Sequence, residues 1–72
     1  MITKEQAVSL RLGQYLVSTT VKDKSGSFSR CRVNGSCQTW KRTPEAFRLP
    51  VKYGLSTYFY ITPENAAGWA VA

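Results

Sequence analysis

Apolar and polar residues alternate along most of this chain, and clusters of turn-forming residues interrupt the alternation. A period of two predicts strands that are apolar on one side. The β-branched stretch GQYLVSTTV (13–21) predicts the first strand, and KDKSGS (22–27) is a turn cluster. FSRCRV and SCQTWK flank Asn34-Gly35, a strong hairpin signal. In FRLPVKY (47–53), Phe47, Leu49, Val51 and Tyr53 share a side, and Pro50 makes the strand an edge or a bulged one. After Gly54, LSTYFYI (55–61) sets Leu55, Phe59 and Ile61 against Ser56, Tyr58 and Tyr60, and GWAVA supplies a last short strand.

Helix starts are marked by a recurring Thr-x-Glu: Thr3-Lys4-Glu5, Thr43-Pro44-Glu45 and Thr62-Pro63-Glu64. Threonine caps a helix, proline suits its first position, and a carboxylate in the first turn favours the dipole. Gln6 turns the first into a capping box and predicts a short helix to about Leu10, with Ala7 and Leu10 on one face. The other two predict single helical turns at 44–46 and 63–67.

The expected fold is therefore mostly β: five to six short antiparallel strands with a short N-terminal helix and single helical turns, in one domain spanning 1–72. The order of a strand, a long loop, two hairpins, a helical turn and a final strand resembles the plan of SH3-like barrels. The resemblance is architectural, covers residues 13–72, and is clearest in GLSTYFYITPENAAGWAVA. It implies a small SH3-like barrel and no particular function, because that architecture hosts many.

A two-residue Asn-Gly loop would put Ser29, Cys31, Val33, Ser36, Gln38 and Trp40 on one face of the hairpin. Phe28, Arg30, Arg32, Cys37, Thr39 and Lys41 would occupy the other. The cysteines would point to opposite sides, which forbids a disulfide. Two cysteines and no histidine cannot complete a structural zinc site. The remaining reading is one cysteine in the core and one partly exposed. Neighbouring arginines favour a thiolate, which leaves a reactive Cys37 as the minor alternative.

Charge changes the picture. Ten Lys and Arg stand against four Asp and Glu, for a net charge of +6, which favours acidic partners. If the apolar sets face inward, Arg30, Arg32, Lys41, Arg48 and Lys52 share the outer sheet surface with Phe28, Tyr58 and Tyr60, with Arg42 at the rim. Cations interleaved with exposed aromatics suit phosphate contact and base stacking. The plainer alternative is a solvated face that keeps a small domain soluble. The expected function is non-catalytic binding of nucleic acid, DNA or RNA. The rival is a protein-interaction module that covers an acidic surface of a host protein. The loop TTVKDKSGS is net basic, which disfavours a basic proline-rich peptide as ligand.

An enzyme is not expected. There is no histidine base, three of the four acids have helix-start roles, and Asp23 sits in a turn. Phosphate-loop and metal-ligand motifs are missing, and no cofactor is expected. Type II dihydrofolate reductases are small SH3-like barrels, but their Val-Gln-Ile-Tyr signature is replaced here by TYFYI. The segments RVNG, TWKR, FRLPVKYGL and YITPENA, across residues 32 to 67, resemble short uncharacterised proteins of bacteriophages and their hosts. That resemblance implies a phage or bacterial origin and a cytoplasmic setting. No apolar run reaches the length of a membrane span. Monomer and homodimer both remain open.

Overall fold

The capping signal at Thr3 starts a helix, α1 (Lys4–Ser9), in the computed structural model, which describes residues 1–72. Thr3 Oγ1 accepts from the Gln6 N–H at 3.1 Å, and Gln6 Oε1 accepts from the Thr3 N–H at 3.0 Å. The box satisfies donors that the first helical turn leaves unpaired. Ala7 is buried and Leu10 packs against the core. Ile2 is buried too, and its N–H donates to Ala66 O at 3.1 Å. The start of the chain is thereby tied to a segment near its end.

Strands β1 (Tyr15–Lys22), β2 (Phe28–Val33), β3 (Gln38–Trp40), β4 (Thr43–Tyr53), β5 (Thr57–Ile61) and β6 (Trp69–Val71) follow. They form one antiparallel sheet in the order β3-β4-β2-β1-β6, and β5 pairs with β4. The fold is mostly β, with one short helix and one 3-10 turn (Ala66–Gly68). That turn grows from Thr62-Pro63-Glu64. Asn65 Oδ1 accepts from the Thr62 N–H at 2.9 Å, and the Ala66 N–H donates to Thr62 O at 2.9 Å.

The helical turn expected at 44–46 does not form, because Thr43-Pro44-Glu45 opens β4 instead. Thr39 stands opposite Phe47 and Trp40 opposite Thr43, so Pro44–Ala46 bulge out of the ladder. A bulge tolerates proline's missing N–H. The weak local helix signal loses to a strand held by β2, β3 and β5. The Pro44 carbonyl accepts the Lys4 ammonium, which fastens α1 to the bulge.

The hairpin expected at Asn34-Gly35 is also overturned. Arg32 and Val33 stand opposite Lys52 and Val51, while Gln38 and Thr39 stand opposite Arg48 and Phe47. The chain therefore runs on along β4 through 34–37, opposite Leu49 and Pro50, and reverses only at Lys41-Arg42. Gly35 is not among the glycines with positive φ, as a type I′ turn would require. Pro50 has no N–H to give to a ladder, and the partner strand loosens where it passes. Pro50 still accepts the Asn34 N–H at 2.9 Å. Of the two readings for Pro50, an irregularity fits and an edge does not, since β4 has neighbours on both sides.

Continuation without reversal keeps odd-numbered residues on the core side. Ser29, Cys31 and Val33 are buried, Cys37 packs against the core, and Trp40 points outward. Trp40 was expected inside and Cys37 outside. Both cysteines are free, on the same side of a chain segment that has not turned back, and thus well beyond bridging distance. Burial pushes the Cys31 thiol up to about 11. Burial raises Cys37 as well, against smaller lowering effects of the Arg48 backbone and the Lys4 charge, so the minor alternative of a low-pKa thiol is not found, and the pair is one core cysteine and one partly exposed. Alkylation at pH 7 is expected to be slow at Cys37 and slower at buried Cys31, with two labels per chain only in denaturant. Mass spectrometry before and after denaturation checks this. Rapid double labelling of the native protein would contradict the burial.

Leu16, Val33, Leu49, Val51 and Ile61 fill the core. Ser18 is buried, but its Oγ accepts from the N–H groups of Thr20 and Val21 at 3.2 and 2.9 Å, where β1 slips its register against β2. The β1–β2 loop closes on Asp23, whose carboxylate accepts from Ser25 and Ser27, and the Ser25 hydroxyl leads in lowering its pKa. Leu55, expected inward, sits in the β4–β5 turn and is 94% exposed.

Candidate functional site

Alternation sends Arg30 and Arg32 of β2, Arg48 and Lys52 of β4, and Tyr58 and Tyr60 of β5 to the outward face. Register decides which of them meet. Tyr15 stands opposite Arg32, Arg32 opposite Lys52, and Lys52 opposite Tyr58. The result is one row across β1, β2, β4 and β5 that reads Tyr-Arg-Lys-Tyr. Lys52 Nζ lies 5.5 Å from the Tyr58 ring centroid. Tyr15 is 51% exposed and Tyr58 60%.

The middle of this row lies in an open groove of about 320 Å³, lined by Tyr15, Arg30, Arg32, Lys52, Gly54 and Leu55, with Cys31 in its floor. Adjacent strands are roughly 4.7–4.9 Å apart. The like charges of Arg32 and Lys52 therefore sit side by side, an arrangement that destabilises a sheet unless an anion or solvent lies over it.

A second group forms farther along β4. The Arg48 guanidinium lies 4.4 Å from the Tyr60 ring and 5.9 Å from the Trp40 ring. Its Nε donates to Gln38 Oε1 at 2.8 Å, and Nη2 reaches the same oxygen. The cation is thus held between two rings and oriented by an amide, not neutralised by a carboxylate. Cation–aromatic stacking of this kind contributes roughly 0.5–1 kcal/mol at exposed sites.

The remaining expected residues lie outside this row. Lys41 and Arg42 form the β3–β4 turn, up to roughly 30 Å along β4 from Lys52. Lys41 was expected on the strand face and leaves it because the chain reverses there. Phe28 lies toward the opposite end of β2, opposite Lys22, whose Nζ is 5.2 Å from its ring, and it lines an adjoining groove with Arg30 and Gly54. Sequence reasoning missed Tyr15 and Trp40. Tyr15 has the parity of the exposed β1 positions, which was a usable signal. Trp40 had none, since its face depended on where the chain turns.

Three of the four carboxylates stay off this face, and the fourth, Asp23, stands at its edge. Glu5 is on α1 and Glu64 before the 3-10 turn, whereas Asp23, in the β1–β2 loop, lines an adjoining groove with Phe28, Arg30 and Gly54, its carboxylate taken up by Ser25 and Ser27. Glu45 has the core-side parity of Phe47 and borders a groove with Lys4 and Pro63 on the other side of β4. With only Asp23 at its edge, the outward face carries more cations than carboxylates and presents a net positive surface. Set beside family models, curated proteins and solved structures, the chain matches none of them.

Proposed function

We propose that this protein binds nucleic acid without catalysis, through the outward face of β1, β2, β4 and β5. The observation that carries the reading is the Tyr15–Arg32–Lys52–Tyr58 row, which borders a groove whose lining holds no carboxylate. Cations supply phosphate affinity, and exposed rings supply faces on which bases stack. We also propose that the scaffold is an SH3-like small barrel. The succession β6-β1-β2-β4-β5, with the 3-10 turn between β5 and β6, supports it.

Salt titration tests the function. Arg30→Gln with Arg32→Gln removes two charges and keeps polar side chains. If each arginine contacts one phosphate, the log–log salt slope becomes shallower by roughly 1.8 on duplex DNA, or about 1.4 on a single strand. Affinity falls about equally for all sequences, because phosphate contacts carry no base information. Lys24→Gln, in the β1–β2 loop, serves as control and leaves the slope unchanged. Absence of binding by the wild type at ~50 mM salt, where electrostatic affinity is strong, removes the reading. Capture of one defined protein that survives nuclease treatment would then favour an acidic protein partner.

A further inference from the structure

We infer that the Tyr15–Arg32–Lys52–Tyr58 row is a site for single-stranded nucleic acid and discriminates against duplex; this rests on the nucleic-acid reading of the same face. The row spans three strand spacings, roughly 14 Å from ring to ring. The cations occupy its centre and the rings its ends. A chain crossing it meets an aromatic ring, two positive charges and a second ring in turn. That order matches a strand whose phosphates lie over Arg32 and Lys52 while bases on either side stack on Tyr15 and Tyr58. Only an unpaired strand can splay its bases in this way.

A duplex keeps its bases stacked inside and offers the sheet only phosphates and groove edges. It would use the two cations and leave the rings idle. The groove wall supports the same choice. Leu55, 94% exposed, and Tyr15, 51% exposed, border it beside the charges. Apolar and aromatic side chains in that position match base faces and have nothing to gain from a phosphate backbone. The face also offers no helix to enter a duplex major groove, one of the two elements that fit there. Its sheet carries no helix on this side, and the one helix, α1, packs toward the bulged end of β4. Sequence preference is expected to be slight, because every base has a stacking face.

Fluorescence anisotropy at ~50 mM salt with four probes tests the inference: a dT 12-mer, an rU 12-mer, and blunt 12-base-pair DNA and RNA duplexes. At least one single strand is expected to bind ten-fold or more tighter than either duplex. The tighter of the two strands identifies the sugar that the site accepts. Tyr15→Ala and Tyr58→Ala should each weaken that strand by roughly 5- to 150-fold, the equivalent of about 1–3 kcal/mol per stacked base. Duplex affinity should stay within about two-fold. Tyr15→Phe and Tyr58→Phe keep the ring and should retain single-strand affinity, which separates stacking from any loss of fold. Equal affinity for strand and duplex, or equal losses on both in the alanine variants, would overturn the single-strand inference and leave nucleic-acid binding standing. Binding to none of the four probes would overturn both.

Discussion

Leu49→Ala is expected to leave the protein largely unfolded near room temperature. Leu49 is fully buried, stands opposite Ile61 on β5, and lies where β4 passes the irregular segment 34–37. Truncation of a buried leucine costs roughly 2–5 kcal/mol, since transfer energy is lost and a cavity remains. A single core in a chain this short rarely supplies more than about 3–5 kcal/mol. The loss is therefore comparable to the whole stability. Leu49→Met conserves volume and should cost less than about 1.5 kcal/mol. Circular dichroism melts of both variants check this. At this size 1 kcal/mol shifts Tm by roughly 4–8 °C. An alanine variant that melts within a few degrees of wild type would mean that Leu49 is not central to the core.

Gly35→Val is the second large effect, and the structure changes its cause. A Cβ on Gly35 would lie 3.0 Å from Pro50 Cγ and 3.8 Å from Pro50 Cβ. The backbone that carries the half-buried proline ring is paired on both sides, so relief must come from the ring itself or from residues 34–36. Valine adds two further carbons on the same atom. Overpacking of this kind costs roughly 1–3 kcal/mol. Gly35→Ala should cost less, because only one contact must give. Combining Gly35→Val with Pro50→Ala removes the atom that the new side chain meets, so the pair should be less destabilised than the sum of the single variants. Denaturant titration of the cycle measures that coupling. Additive losses would point instead to a backbone conformation reserved for glycine, as in the hairpin turn.

The two errors about this segment share one origin. Asn-Gly is a local preference, worth little beside the pairing of an eleven-residue β4 with β2, β3 and β5. The same competition converted Thr43-Pro44-Glu45 from a helix start into a bulge, whereas Thr3-x-x-Gln6 kept its helix. The difference is that both partners of the Thr3 cap lie within the signal itself, at 3.0 and 3.1 Å. The fate of residues 43–46 depended on strands remote in the chain.

Alternation alone was enough to assign Arg30, Arg32, Arg48, Lys52, Tyr58 and Tyr60 to one face and Leu49, Val51 and Ile61 to the core. Successive side chains of a strand must leave on opposite sides, whatever surrounds them. Tertiary pairing decided everything that joins one strand to another. It set Arg32 beside Lys52 and Tyr15 beside Arg32, moved the reversal from Asn34-Gly35 to Lys41-Arg42, and so turned Trp40 outward onto Arg48 and Cys37 inward. A strand's period says which residues share a side. Its register is a relation between distant segments, chosen by how their apolar sides and bulges fit together, and a shift of one residue reverses every side chain.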